Sequence, residues 1–202
     1  ILDAILLDAA RDAGAEVRRT RVTSLDGPRA RLVIGADGLR STVARRAGLI
    51  RRPPRLRKVS LTTHGAGPAG RLSRGEMHVL DGACFGIAPA GNGRFNLTLV
   101  VTRDHAADLR TLGADAFLDR WLDRAPAVRA LVAGAALDRP FLASGPFDWP
   151  TRAPVAPGLA LVGDAAGYYD PFTGQGVYHA MAGARLLAAA RDGVRLEDDD
   201  AR

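Results

Sequence analysis

Apolar and polar positions follow one rhythm at the two ends of the chain and another in its middle. "ILDAILLDAARDAGAEV" places Ile1, Leu2, Ile5, Leu6 and Ala9 on one face of a helix that stops at Gly14. The periodicity is already running at the first residue, with no N-cap before it and no initiator Met, so the chain is expected to be part of a longer protein. "EVRRTRVTSLDG" predicts a strand and a turn, and "RARLVIGADGLRSTVARRAGL" a strand, a Gly-rich turn and a short helix. Leu32, Val33 and Ile34 suit a strand covered on both faces, as in parallel sheets. Gly35 and Gly38 bracket Asp37, and Ser41 stands where it can N-cap the helix that follows.

From 56 to about 102 the pattern changes to alternation and turns, in "RKVSLTTH", "GEMHVLDG" and "ACFGIAPAGNGRFNLTLVVT". Asn92-Gly93 between two strand-like runs is a strong hairpin signal, so this middle part reads as a mostly antiparallel sheet. Helical spacing returns in "ADAFLDRWLDRAPAVRALVAG", where Phe117, Leu118, Trp121 and Leu122 take core positions and Pro126 breaks the run. Near the end, "LALVGDAAGYYDPFTGQGVYHA" predicts a buried strand over Leu159 to Val162 and a turn rich in Pro and Gly. A helix then starts near Gln175.

Composition narrows the function classes. A chain of 202 residues, 47% hydrophobic, can bury a core in one domain or two small ones. No apolar run approaches the roughly 20 residues of a membrane helix, so no stable membrane span and a cytoplasmic location are expected. Cys84 is the only cysteine, which rules out an intrachain disulfide. His64, His78, His105 and His179 lack ligand-like spacing, so no metal site is expected. The charge of +6 and pI near 10.5 invite a nucleic-acid reading. Against it, Lys58 is the only lysine, the arginines are dispersed among Asp8, Asp12, Asp104, Asp108, Asp119 and Asp123, and no basic stripe interleaves with aromatics. The densest cluster, "RRPPRLRK" at 51 to 58, reads as a solvated linker, with contact to an anionic substrate or a cofactor phosphate as the minor alternative.

The chemistry concentrates at the strand ending in Gly163-Asp164, because ligands of open α/β sheets bind at such strand ends. Asp164 is an acceptor-only carboxylate suited to the hydroxyls of a polyol or ribose; its simpler role is an N-cap. Gly174 and Gly176 let the main chain approach a flat ligand, and the following helix aims free N–H groups and a positive dipole end at it. Such a site favours negative charge but offers no nucleophile and no metal ligands. A bound organic cofactor must then supply the reaction, and no side chain is singled out as catalytic.

"GADGLRSTVA" at 35 to 44 and "GDAAGYYDPFTGQG" at 163 to 176 together resemble the paired signatures of FAD-dependent flavoproteins. The resemblance is to p-hydroxybenzoate-hydroxylase-type monooxygenases and geranylgeranyl-reductase-like oxidoreductases. It implies an α/β (α+β overall) fold: a partial FAD-binding three-layer βα domain, residues 1–55 and 154–202, with a mostly antiparallel β-sheet substrate domain, residues 56–153, inserted. By the same resemblance Asp164, beside Gly163, takes the ribityl chain of FAD, Pro171 packs beside the isoalloxazine, and the backbone of Gly174, Gln175, Gly176 and Val177 faces the flavin pyrimidine edge. Val17 occupies the place whose backbone meets the adenine, and Asp37 lies in the turn associated with the cofactor and with pyridine-nucleotide passage. The strands around Phe85 to Pro89 and Phe95 to Val101 wall the substrate chamber, with Tyr168, Tyr169 and Phe172 as substrate-side contacts or packing aromatics.

The resemblance implies a FAD-dependent oxidoreductase that reduces or hydroxylates an apolar or aromatic small molecule, with NADPH or NADH as reductant. No Gly-x-Gly-x-x-Gly fingerprint follows a strand within the 202 residues; the resemblance places it upstream of residue 1. "GYYDPFTGQG" stands closer to the reductase-like branch, since hydroxylases often carry His where Gly167 stands. A non-catalytic remnant or partner-binding fragment ranks second, and a basic nucleic-acid binder third.

Overall fold

The computed structural model describes residues 2–25, 30–53, 58–147, 149–168 and 170–199, without the side chains of Arg103 and 192–199. Two separate sheets carry the fold. The smaller has three strands, β1 (Val33–Gly35), β9 (Leu159–Leu161) and β8 (Val155–Ala156), in the order β1-β9-β8. Val33, Ile34 and Gly35 run parallel to Leu159, Ala160 and Leu161, so segments some 125 residues apart in the chain share one ladder. The short helix α2 (Thr42–Arg46) packs against this sheet, burying Val43 and Ala44 beside Leu159 and Leu161. Ser41 caps it as expected, its Oγ accepting the Ala44 N–H at 2.9 Å.

The larger sheet joins β3 (Glu76–Leu80), β4 (Ala83–Gly91), β5 (Arg94–Val101) and β2 (Val59–Ala66) in that order, all antiparallel. β6 (Ala136–Leu137) and β7 (Leu142–Ser144) pair with different lengths of the free side of β2. The β4–β5 hairpin turns on Asn92-Gly93, with φ of 52° and 71°, the left-handed pair that a two-residue hairpin loop requires. Strand alternation sorts the side chains. Phe85, Ile87, Phe95, Leu97, Leu99 and Val101 face helices α3 (Arg103–Leu112), α4 (Ala114–Asp123) and α5 (Pro126–Leu131), and with Phe117, Trp121 and Val128 they form the main core. Pro126 both ends α4 and opens α5, at whose first turn its missing N–H costs nothing.

Several expectations need correction. Residues 15–24 form no strand: they are exposed and have no ladder partner among the described residues. The turn expected at Asp26-Gly27 lies outside those residues. Leu32 and Ile34 are exposed, so β1 is covered on one face only. Helix α3 was not anticipated, since helical spacing after the middle sheet was read only from Ala114 onward. The α1 helix (Leu2–Asp12) forms as the periodicity requires, yet Leu2, Ile5 and Leu6 lie in the open. No helix is long and apolar enough to cross a membrane among the described residues.

Candidate functional site

β9 is buried along its length and delivers the chain to Gly163, where φ is 59° and a Cβ would press to 3.2 Å from that of Ala180. Glycine is therefore required where the strand end meets helix α6 (Gly176–Asp199). Asp164 follows in the 3-10 turn Gly163–Ala165. Its N-cap role is not realised, and no described residue donates a hydrogen bond to its half-buried carboxylate. Burial pushes the carboxyl pKa up from its ordinary value.

A second 3-10 turn, Pro171–Thr173, is folded by Asp170, whose Oδ1 accepts the Phe172 N–H at 3.1 Å and whose carbonyl accepts the Thr173 hydroxyl at 3.0 Å. Gly174 closes it with φ 65°, and α6 begins two residues later. In front of Gly174 and Gly176 there is open space, since a Cβ at either would meet nothing within 4 Å. The unpaired N–H groups of the first turn of α6 therefore open toward solvent beside the Asp164 strand end.

Lys58 was read within a solvated linker. It is instead a half-buried anchor: its ammonium hydrogen-bonds and ion-pairs with Asp170, fastening the Pro171 turn to the start of β2. Burial pushes the Asp170 carboxyl up, but the Lys58 hydrogen bond, the Phe172 N–H and the Lys58 charge outweigh it and hold the pKa below its ordinary value. Residues 54–57 of the same linker lie outside the described residues.

Pro171 and Phe172 stand over the face of the large sheet opposite its core. Here Cys84, Gly86 and Ala88 of β4 and Asn96, Thr98 and Val100 of β5, with Met77, line a groove of about 340 Å³ closed on one side by Pro171 and Phe172. The wall is thus built from the alternate residues of the expected strands; Phe85, Ile87, Phe95, Leu97 and Leu99 point into the core. Across this face Thr98 donates its hydroxyl proton to Asn96 Oδ1 at 3.2 Å, so Thr62, 3.0 Å from Thr98, must donate to Thr98. Burial pushes the Cys84 thiol pKa up, with Lys58 opposing and Asp170 adding to the shift.

The expected site residues do not all meet. Gly163, beside Asp164, packs against Ala180 of α6, and Pro171, Gly174, Gln175, Gly176 and Val177 follow one another from the 3-10 turn into the start of that helix. Phe172 lies in the same turn as Pro171, half exposed over the groove. Tyr168 does not border the groove under Pro171: it stacks on Phe147 with ring centroids 5.2 Å apart and lines, with Gly163, a cleft beside α6. Burial, Asp164 and Asp170 push its phenol pKa up to about 12. Tyr169 lies outside the described residues. Asp37 is engaged in turn chemistry, its Oδ2 accepting the Thr42 and Val43 N–H groups at 2.6 and 3.2 Å. Val17 is exposed in the irregular segment before β1.

No family model matches the chain. It is 29% identical over 202 aligned residues to digeranylgeranylglycerophospholipid reductase 2 of Methanopyrus kandleri, an alignment covering 96% of this chain and 49% of that protein. The crystal structure of CmlS, a flavin-dependent halogenase, superposes with a TM-score of 0.83 at 23% identity, covering 98% of this chain and 40% of the other. PqsL, a probable FAD-dependent monooxygenase from Pseudomonas aeruginosa, gives a TM-score of 0.59 at 28% identity over 83% of this chain and 49% of that one. The chain spans about half the length of the curated relatives it matches.

Proposed function

We propose, from the place of this chain among the geranylgeranyl-reductase-like FAD-dependent oxidoreductases, that it forms the flavin-facing and substrate-facing part of an enzyme acting on an apolar or aromatic small molecule. The observation that carries this reading is the Asp164 site. A half-buried carboxylate without a donor stands at a strand end beside an open, glycine-lined helix N-terminus.

These parts fit the ribityl and isoalloxazine portion of FAD. Asp164 would accept hydrogen bonds from ribityl hydroxyls, which relieves the burial of its charge. Gly174 to Val177 would bring main-chain N–H groups and the α6 dipole to the pyrimidine edge of the ring and stabilise negative charge there. Pro171 would border the ring and Phe172 the substrate. When bound, FAD supplies the electron-transfer chemistry that no side chain here provides, with NADPH or NADH as its reductant in this reading. Val17 and Asp37 would lie toward the adenine and the cofactor turn. A division into residues 1–55 and 154–202 for flavin and 56–153 for substrate belongs to the same reading, and the separation of the strands into two sheets supports it.

The chain's own residues then bind, orient and exclude water. The groove under Pro171 is walled largely by apolar groups, with Asn96 and Thr98 as its polar points, which suits an apolar substrate. The relatives that align along most of the chain are named as reductases, which favours reduction of a double bond over hydroxylation.

The test is a titration with FAD followed by quenching of flavin fluorescence. Asp164→Ala should weaken binding about tenfold to a hundredfold, the worth of hydrogen bonds to a charged acceptor, and leave the thermal melt unchanged. Unaltered affinity in that variant removes the assignment.

A further inference from the structure

A third cleft, of about 430 Å³, is lined by Arg21, Val22, Thr23 and, from α2, Thr42, Arg45 and Arg46. Three guanidinium groups share it, and none of them forms an ion pair with a described carboxylate. The neighbouring Asp37 is committed to the Thr42 and Val43 N–H groups. Two of the arginines are held in place by neutral acceptors. Arg46 donates Nε–H to the Thr23 carbonyl at 3.1 Å. Arg45 donates to the Ser41 carbonyl at 3.2 Å and to Thr42 Oγ1 at 3.3 Å.

All three arginines are exposed, so water screens their mutual repulsion without removing the positive potential of the cleft. An anion in the cleft would turn that repulsion into attraction. Pinning through Nε leaves both terminal nitrogens of Arg46 free, and the guanidinium fork matches the oxygens of phosphate. The Thr23 and Thr42 hydroxyls complete the polar lining. Three positive charges exceed what a single carboxylate neutralises and match a phosphate ester or diphosphate.

We propose that this cleft binds a ligand carrying a phosphate or diphosphate group, read chiefly by Arg21, Arg45 and Arg46. Two sources share this chemistry, a soluble phosphorylated nucleotide and a phospholipid headgroup. Thr42, which lines the cleft, also donates its N–H to Asp37, so the nucleotide source rests on the proposed function whereas pyrophosphate binding itself does not.

Isothermal titration of the protein with inorganic pyrophosphate tests the site. Binding is expected to weaken as salt rises and to fall at least tenfold in Arg45→Gln/Arg46→Gln. Arg21→Gln, which removes a guanidinium making no described hydrogen bond, should give a smaller loss with an unchanged melt, and Arg71→Gln, an equal charge change on the larger sheet unit, no loss. Competition against bound pyrophosphate then separates the sources: displacement by NADPH indicates a nucleotide, and displacement by phosphatidylglycerol vesicles but not phosphatidylcholine vesicles indicates a lipid headgroup. Undetectable pyrophosphate binding, equal affinity in Arg71→Gln and Arg45→Gln/Arg46→Gln, or displacement by neither competitor overturns the proposal.

Discussion

Asp170 and Lys58 show what a single pair does here. Both side chains are about three-quarters buried, and the pair ties the Pro171 turn to a strand 112 residues away in sequence. Because the folded-state pKa of Asp170 is depressed, its contribution is present above the unfolded value near 4 and is lost as pH falls through the lower folded value. Asp170→Asn should therefore lower stability at neutral pH by about 1–2 kcal/mol and flatten the acid limb of the stability profile, measured by urea unfolding across pH. The place of Asp164 just past a buried strand was legible in the sequence, because the apolar run before it stops at Gly163. Lys58 was not, because a lone cation in an Arg- and Pro-rich stretch gives no local sign of a carboxylate so far along the chain.

At the scale of elements, the long alternating strands and the 114–131 helices could be read directly. β5 alternates strictly over "RFNLTL", and the Phe117, Leu118, Trp121 and Leu122 spacing fits one helical face. Trp121→Ala should cost about 3–5 kcal/mol, read from the shift of the denaturation midpoint, since it empties the centre of this packing. Close approach makes a sharper demand at Gly35. A Cβ there would stand 2.6 Å from Leu161 Cδ2 and 2.9 Å from Val43 Cβ, wedging β1 away from β9 and α2. Gly35→Ala is expected to destabilise by about 1–3 kcal/mol in the same assay. What failed was the segment at 15–24, whose strand-like composition finds no ladder among the described residues, and α3, whose sparse apolar positions in "RDHAADLRTL" gave too weak a period.

Across the whole molecule, the two sheets differ in how deeply they are covered. The larger rests on a core running from Phe85 to Val128, whereas the smaller is held by Val43, Ala44, Leu159 and Leu161. Amide exchange should therefore be slowest in β4 and β5 and faster in β1 and β9, by about the difference between global and local opening. Sequence pattern predicted an apolar face on α1 without naming its neighbour, and it read β1 as covered on both faces where only one is, because an apolar run does not say what lies against it. The junction of the sheets, where Asp164, the Pro171 turn and the N-terminus of α6 meet, is where the flavin reading stands or falls.

The most direct measurement is the visible absorption spectrum of the protein after incubation with FAD and removal of free flavin. The account predicts the two visible bands of bound oxidised flavin, diminished in Asp164→Ala. A protein that remains colourless contradicts it.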